Sequence, residues 1–380
     1  MYKRVYRIDP ITIEINSDDR NEELMSTFQY CKSVQGASDD RKIVINIFHK
    51  DIEPKIEERF YSLSGSVAFN KDEYIIKGHR FSYSVKNLFN RLEDTIVNIY
   101  WNSQNAVKTG VMRIANSIRP SRLDAHSKRE EEILHITHYG CLWYIVAISL
   151  MKYDSVFVHA GVVSKNGRAV MLAGSGGCGK TSTIMDFLKK DGWQYISEDF
   201  AIVHKSGIVY PFPRKMAIYS SDLRFGNITL NEAISKNLTN WERFKWSFLV
   251  RIGKDPLYHL PPQMVFKEEK IATSADLDKV LFMSRVPKGY NFKFEDIQID
   301  SIVDRITDSS YRELKEVFEV ICNIRANGDQ ECLCTYPSLN DLMALHRDIL
   351  AEALSKASKK LVRVPLDGKP SNILEEVAED

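Results

Sequence analysis

The fold of this chain is indicated most clearly by residues 158–203, VHAGVVSKNGRAVMLAGSGGCGKTSTIMDFLKKDGWQYISEDFAIV. Within this stretch, Asn166-Gly167 separates two apolar β-type runs, Gly161–Lys165 and Arg168–Ala173. Both residues of a two-residue hairpin turn need positive φ, which Asn and Gly tolerate best. The pattern therefore predicts an antiparallel hairpin whose second strand leads directly into a glycine-rich loop.

That loop, GSGGCGKT at Gly174–Thr181, fits the phosphate-binding pattern G-x-x-x-x-G-K-[ST] completely. Its backbone amides would surround phosphate oxygens, Lys180 would reach the β- and γ-phosphates, and Thr181 would hold Mg²⁺. The amphipathic run Ser182–Lys190 predicts a helix whose N-terminus faces the anion. The predicted nucleotide-binding residues are Gly174, Ser175, Gly176, Gly177, Cys178, Gly179, Lys180, Thr181 and Ser182. Arg214 of the following PFPR run is either a further anion contact or a surface arginine on a rigid proline turn.

The position of the loop strand also predicts the kind of sheet. In ordinary nucleotide-binding α/β domains this strand opens a parallel βαβ unit, whereas here it is the second arm of a hairpin. We therefore expect a mixed sheet, which argues against a GTPase or helicase core. Cys178 lies inside the loop at a helix N-terminus, which makes its thiol a candidate for alkylation.

A pair of acids follows the loop. Glu198 and Asp199 end a short β-type run, 19 residues past Lys180. Phosphoryl transfer needs a carboxylate for Mg²⁺ and a base for the acceptor hydroxyl, and adjacent acids at a strand end could serve both needs. A solvated loop pair is the alternative. His159, fifteen residues before Gly174, is either a third member of this site or a structural histidine.

Residues 158–214, which contain the histidine, the loop and the acid pair in that order, resemble the catalytic core of HPr kinase/phosphorylase. The resemblance is closest to diverged HPr-kinase-like proteins of bacterial gene clusters, such as the peptide serine kinases of lasso-peptide biosynthesis. It implies the mixed-sheet P-loop kinase fold that HPr kinase shares with phosphoenolpyruvate carboxykinase. The family pair is usually Asp-Asp, so Glu198 departs from it and Asp199 matches. The resemblance implies that Asp199 binds Mg²⁺, that Glu198 is a base or a further metal ligand, and that His159 lies beside the transferred phosphoryl group.

The rest of the chain predicts an α/β protein, α+β overall, with three regions: a β-rich domain at 1–125, the P-loop core at 126–300, and a helical region with an acidic tail at 301–380. Strands are predicted at Ile11–Ile15, Lys42–Phe48, Gly65–Asn70, Glu73–Lys77 and Thr95–Trp101. Helices are predicted at Glu130–Leu150, Asp308–Ile324 and Ser338–Ala357. The basic segment Arg113–Arg129 is read as a solvated linker, with a phosphate-facing patch as the alternative.

Composition limits the environment and the partners. The chain has 52 Lys and Arg against 51 Asp and Glu, so only a local patch could attract nucleic acid or an anionic membrane. No signal peptide opens the sequence, and the longest apolar stretch, Tyr139–Met151, is shorter than a membrane span. We therefore expect a cytoplasmic protein without a membrane partner. The six cysteines are too scattered for a disulfide framework, and Cys332-Leu-Cys334 lacks zinc spacing.

Together these patterns predict an ATP-dependent enzyme that uses Mg²⁺ to phosphorylate a hydroxyl, most simply a serine of a peptide or protein. Two alternatives stay open: a kinase of a small molecule or a nucleic acid, and a nucleotide-binding regulator without transfer activity. The lack of an aromatic-basic module argues against a nucleic-acid acceptor. The sequence identifies neither the acceptor nor the oligomeric state, and it is compatible with a homo-oligomer.

Overall fold

The computed structural model describes residues 2–8, 11–17, 32–33, 42–48, 61–64, 67–77, 81–101, 142–212, 214–224, 228–366, 368 and 373. Its strands are β1 (Tyr2–Ile8), β2 (Ile11–Ser17), β3 (Lys32–Ser33), β4 (Lys42–Phe48), β5 (Tyr61–Ser64), β6 (Val67–Phe69), β7 (Glu73–Lys77), β8 (Phe81–Lys86), β9 (Thr95–Trp101), β10 (Ser155–Val158), β11 (Ala160–Lys165), β12 (Arg168–Gly174), β13 (Trp193–Ser197), β14 (Ala201–His204), β15 (Ile208–Pro211), β16 (Met216–Tyr219), β17 (Leu257–Leu260), β18 (Ala275–Val286), β19 (Lys293–Asp296) and β20 (Ser358–Pro365).

The α-helices are α1 (Leu142–Leu150), α2 (Lys180–Leu188), α3 (Ser220–Arg224), α4 (Ile228–Asn237), α5 (Asn240–Arg251), α6 (Pro262–Val265), α7 (Ile299–Glu313), α8 (Lys315–Asn327), α9 (Gln330–Thr335) and α10 (Leu339–Leu354). Short 3₁₀ turns lie at Met151–Tyr153 and Glu268–Lys270. None of the helices that the structure describes has both the length and the apolar character of a membrane span.

The chain forms two compact units. The first comprises Met1–Tyr153 and Leu314–Ala344, and the second comprises Asp154–Glu313 and Leu345–Asp380. The protein is therefore a mixed α/β protein with a β-rich N-terminal sheet, a second mixed sheet and C-terminal helices.

The first unit is built on a sheet with the order β3-β1-β2-β4-β9-β8-β7-β6-β5. Strand β4 alternates buried isoleucines with half-buried residues, which is the period-2 pattern of a strand with one face against a core. On its other face, amide side chains form a ladder across neighbouring strands: Asn16 donates to Asn46 at 3.1 Å, Asn46 to Asn98 at 2.9 Å, and Asn98 to Ser84 at 3.1 Å. This ladder satisfies polar groups that would otherwise be costly on a half-buried face.

The second unit contains a sheet with the order β10-β14-β15-β18-β12-β11-β13, to which β20 and β19 add beside β18. The loop strand β12 lies between antiparallel β11 and parallel β18. The sheet is therefore mixed, as the hairpin predicted.

The hairpin itself is confirmed. Lys165 pairs with Arg168, and the two turn residues have φ of 52° at Asn166 and 76° at Gly167. Positive φ at both positions is the geometry of the turn that Asn-Gly favours. This turn sets the register that delivers Gly174 to the end of the sheet.

Most predicted elements that fall on described residues are confirmed. Strands β4, β7 and β9 have the predicted bounds, and β2, β6 and α10 agree within a few residues. The predicted continuous helix at Asp308–Ile324 is wrong, since buried Leu314 leaves helical geometry (φ −93°, ψ 6°) and separates α7 from α8. Neither Gly nor Pro marks that break in the sequence. Residues 102–141, with the predicted basic linker and the first part of the Glu130–Leu150 helix, lie outside the described residues.

Candidate active site

The glycine-rich loop connects the end of β12 to the start of α2. Gly174 closes the strand with φ of 145°, and a Cβ atom there would lie 2.4 Å from the carbonyl oxygen of Met283 on β18. Only glycine fits this approach, so the loop is held against β18 at its first residue. Ser175, Gly176 and Gly177 are exposed at the rim, while Gly179 and Ser182 are half-buried.

Lys180 begins α2 and folds its side chain back into the loop. Its Nζ donates to the carbonyl oxygens of Gly174 at 2.8 Å and Ser175 at 3.3 Å. The residue is buried. The ammonium group therefore lies inside the loop, where a phosphate oxygen could replace one of these carbonyls.

Arg285 of β18 reaches the same loop and was not predicted from the sequence. Its Nε donates to the carbonyl oxygen of Gly177 at 2.9 Å, and Nη1 donates to that of Pro365 at 2.8 Å. A guanidinium group offers several donors in a fixed plane, so Arg285 can brace the loop and also stand near a bound anion.

The acid pair follows β13, and its two carboxylates contact different partners. Glu198 Oε1 accepts a hydrogen bond from the Thr181 hydroxyl at 2.6 Å, and Oε2 accepts from the backbone N–H of Ala217 at 3.4 Å. Asp199 instead pairs with His159 Nε2 at 2.9 Å and with Arg214 Nη1 at 3.2 Å. Adjacent residues at a strand end point apart, which explains the division.

The surroundings shift the pKa values of Glu198 and Asp199 in opposite directions. Burial raises the pKa of Glu198 to about 8, and the neighbouring charge of Asp199 adds to this effect, while the Thr181 hydrogen bond opposes it. Desolvation also acts to raise the pKa of Asp199, but the hydrogen bond from His159 and the charges of His159, Arg214 and Lys180 outweigh it and hold the pKa well below its usual value. The surroundings thus favour the protonated form of Glu198 and the ionised form of Asp199, a separation typical of acid–base sites.

His159 lies between β10 and β11 and links the loop lysine to the acid pair. Its Nε2 is 2.9 Å from Asp199 Oδ1 and 3.3 Å from Lys180 Nζ. Its Nδ1 faces α7, 3.4 Å from Ser309 Oγ and 3.6 Å from Glu313 Oε1. With Nε2 protonated the ring donates to Asp199 and accepts from Ser309; with both nitrogens protonated it lies between two carboxylates.

Buried groups on α7 and α10 fix the backbone around this histidine. The hydroxyl of Ser310 accepts the N–H of His159 at 3.0 Å. His346 on α10 is 3.0 Å from both the Thr307 hydroxyl and the carbonyl oxygen of Phe157. Burial lowers the pKa of His346 to about 4, so the ring is neutral, with Nε2–H donating to Phe157 and Nδ1 accepting from Thr307.

Arg214 is held over an aromatic cluster. Its guanidinium carbon lies 4.5 Å from the ring centroid of Phe200, and Phe200 packs against Phe157 with centroids 4.7 Å apart. Stacking on a ring and pairing with a carboxylate orient the planar guanidinium group. Arg214 therefore joins His159, Lys180 and Asp199 in one connected cluster.

Cys178 lies in the loop but turns away from this cluster. Its side chain is fully buried, and a Cβ atom on Gly174 would lie 3.1 Å from its Sγ. A thiol enclosed in this way has no path to a reagent in solution. The expected alkylation of Cys178 is therefore not supported by the native fold.

The donor atoms beside the loop fit a magnesium ion. Mg²⁺ prefers hard oxygen ligands and keeps several sites for water and phosphate. The Thr181 hydroxyl and the Glu198 carboxylate supply two such oxygens 2.6 Å apart. In the part of the chain that the structure describes, no group of three or more His, Cys, Asp and Glu side chains is arranged as a metal site, so phosphate and water would complete the coordination.

The structure thus brings together most of the predicted site residues and adds others. Sequence reasoning missed Arg285, Ser309, Ser310 and Glu313, which come from β18 and α7. These residues lie more than 100 positions from the loop or the histidine that they contact. No local sequence pattern indicates contacts between residues so far apart. Compared with known proteins, the chain matches no family model and no curated protein sequence.

Proposed function

We propose that this chain is an ATP-dependent phosphotransferase with the mixed-sheet P-loop core of the HPr kinase type. The observation that carries the proposal is the convergence of the loop lysine with a histidine–carboxylate pair. Lys180 Nζ is 3.3 Å from His159 Nε2, which is 2.9 Å from Asp199. A nucleotide-binding loop needs no such pair for binding alone, whereas transfer to a hydroxyl needs a proton acceptor beside the γ-phosphate.

The contacts favour roles for Glu198 and Asp199 that are the reverse of those expected from the sequence. Glu198 touches the Thr181 hydroxyl, so we assign Glu198 and Thr181 to Mg²⁺. When bound, the ion would neutralise charge on the phosphates. Asp199 pairs with His159 Nε2, which also lies 3.3 Å from Lys180 Nζ, so we assign Asp199 to the acceptor hydroxyl. Because a ligating carboxylate must be ionised, cation binding at Glu198 releases a proton.

In the proposed reaction, the acceptor oxygen forms a bond to the γ-phosphorus as the bond to the β–γ bridging oxygen breaks, giving ADP. The hydroxyl proton passes to the Asp199 carboxylate, while His159 holds that carboxylate in place. Without nucleotide, the nearby cations depress the basicity of Asp199. A γ-phosphate beside Lys180 and Arg214 would offset their charge and raise that basicity where the reaction needs it.

The acceptor class rests on the resemblance to peptide and protein serine kinases. The test is incubation of purified protein with Mg²⁺ and γ-labelled ATP in the presence of serine-containing peptide libraries and matched libraries with alanine in place of serine. Label on phosphoserine in wild type, lost in Asp199→Asn, is the expected result. An exposed-acid variant, Glu352→Gln, is the matched control.

Other results would point to the alternatives. Label found only as free phosphate would make the protein an ATPase. Label on an added metabolite or nucleic acid would change the acceptor class. MgATP binding without any turnover would favour a nucleotide-binding regulator.

A further inference from the structure

Hydrogen bonds, rather than packing, hold the tip of the glycine-rich loop. A Cβ atom added to Gly176 or Gly177 would meet no atom of the described residues within 4 Å. The chain turns at Gly177, which has φ of 74°. A hydrogen bond of 3.4 Å from the Cys178 N–H to the Ser175 carbonyl oxygen closes this turn. The orientation of the tip therefore depends on the polar contacts at its inner and outer sides.

On the inner side of the loop, two donors converge on one acceptor. The Ser175 carbonyl oxygen accepts from the Cys178 N–H at 3.4 Å and from Lys180 Nζ at 3.3 Å. Both distances exceed the usual range for N–H···O hydrogen bonds, so both bonds are weak. An oxygen of a bound phosphate would satisfy the same two donors better than this carbonyl, because it carries negative charge.

On the outer side of the loop, Arg285 holds the peptide group that carries this N–H. Its Nε donates to the Gly177 carbonyl oxygen at 2.9 Å. In a planar trans peptide the C=O and the following N–H point in opposite directions, so a carbonyl fixed outward keeps the Cys178 N–H directed inward. A charged donor on the carbonyl also polarises the peptide group, which strengthens its N–H as a donor.

The guanidinium group of Arg285 is itself fixed to the sheet. Its Nη1 donates to the carbonyl oxygen of Pro365 at 2.8 Å, and Pro365 pairs with Val286 in the ladder between β18 and β20. Arg285 also follows Met283 by two residues, and Met283 pairs with Gly174 at the start of the loop. The same strand therefore fixes both the first residue of the loop and its tip.

We propose that Arg285 is a positioning residue for nucleotide binding, which orients the Cys178 amide so that this amide and the Lys180 ammonium group meet one phosphate oxygen. The proposal rests on the proposed function, because it needs a nucleotide in the loop. Donors that are already oriented need no further ordering when the ligand binds, so affinity rises. A lysine could not take this role, because its ammonium group lacks the planar fork that reaches two carbonyl oxygens at once.

The test is calorimetric titration of the full chain with MgATP. Arg285→Ala should raise the dissociation constant roughly 10- to 100-fold, the usual effect of losing one hydrogen bond to a charged group. Arg285→Lys keeps the positive charge and should still lose most of that affinity. Guanidinium chloride, far below its denaturing range, should restore binding to Arg285→Ala, whereas the same concentration of sodium chloride should not. Guanidinium should not restore binding to Lys180→Ala.

The matched control is Arg363→Ala, which removes an arginine from the neighbouring strand β20. Arg363 Nε donates to Glu295 at 3.4 Å. Arg363 pairs with Ser284, the residue before Arg285, so its side chain lies on the other face of the sheet from that of Arg285. Arg363→Ala should therefore bind MgATP like wild type.

The outcomes separate this proposal from the proposed function. Failure of wild type to bind MgATP would overturn the proposed function and this proposal with it. Binding by wild type with equal affinity in Arg285→Ala would overturn the positioning role alone. Full affinity in Arg285→Lys would show that only the charge matters, and loss without guanidinium rescue would make Arg285 a structural link between β18 and β20. If the alanine variant does not fold, the lysine variant, which keeps the aliphatic part of the side chain, decides between these results.

Discussion

Replacing Glu198 by glutamine should change how stability depends on pH in the metal-free, nucleotide-free protein. Burial and the charge of Asp199 raise the pKa of Glu198 from 4.5 to about 8. Between these values the folded protein keeps the proton and the unfolded chain loses it. The free energy of unfolding must therefore fall as pH rises through this window, and the fall is complete once pH exceeds the folded pKa.

The size of this effect follows from the pKa difference. Each pKa unit corresponds to ~1.4 kcal/mol, so the carboxyl costs the folded state up to about 4–5 kcal/mol at pH 8 compared with its neutral form. Water that enters the site would reduce this value, which makes it an upper limit. Glutamine cannot ionise and its single oxygen can still accept from Thr181 at 2.6 Å, while its amide nitrogen replaces the oxygen that accepts the longer, 3.4 Å hydrogen bond from Ala217. The variant and wild type should therefore have similar stability near pH 5, and the variant should become the more stable one toward pH 8.

The assay is urea unfolding between pH 5 and pH 8 in the presence of a chelator. Because the chain forms two compact units, the transition should be followed through hydrogen exchange of peptides from β12 and α2, which report on the unit that holds the site. Taking the difference between variant and wild type cancels titrating groups that do not interact with Glu198, whereas Asp222, whose pKa burial raises to about 6 and whose charge acts on Glu198, contributes to the difference.

Two further measurements test whether Glu198 is protonated in the folded protein. Glu352→Gln alters an exposed acid in the same unit and should follow wild type at every pH. Mg²⁺ added at pH 8 should stabilise wild type more than the Glu198 variant, because only wild type offers a carboxylate there. Parallel pH profiles for wild type and Glu198→Gln would show that Glu198 is ionised in the folded protein, and the assignment of a protonated and an ionised acid would fail.

Three other perturbations test the site. Lys180→Ala should abolish MgATP binding in a calorimetric titration, because the cation inside the loop is lost; wild-type affinity would remove the loop assignment. Cys178 should resist N-ethylmaleimide in the native protein while exposed Cys334 reacts, as mass mapping would show; equal labelling would contradict the buried thiol. Under the proposed function, Glu313→Gln should lower kcat roughly tenfold and shift its pH profile with KM for ATP unchanged, and Glu313→Asp should partly restore it; an unchanged profile would make Glu313 merely structural.

Local patterns carried much of what could be predicted. The Asn166-Gly167 turn, the loop and the first turn of α2 all lie between residues 166 and 183, and each has a sequence signature tied to backbone geometry. Strands such as Lys42–Phe48 could be bounded because alternation is a property of the strand itself. In these segments the chemistry of a few neighbouring residues determines the conformation.

Long-range partners could not be predicted in this way. The pairing of β12 with β18 joins residues about 110 positions apart, as Ala173 with Phe282, and β18 itself gave no clear strand signal. Arg285 reaches the loop only because of that pairing. The contact of Glu313 with His159 likewise depends on how α7 packs on β10. Such contacts are set by the tertiary packing, which no short pattern encodes.

The length of the side chain at position 198 explains why an acid pair of unequal members suits this site. Glu198 spans from the end of β13 to both the Thr181 hydroxyl at 2.6 Å and the Ala217 amide at 3.4 Å. An aspartate would reach about 1.5 Å less far, which is one carbon–carbon bond. At least one of the two contacts would then exceed hydrogen-bonding distance without backbone movement. Asp199 needs no such reach, because His159 approaches it from the junction of β10 and β11 and Arg214 from the segment between β15 and β16. The extra methylene group is therefore what connects the acid pair to the start of α2, and through it to the glycine-rich loop.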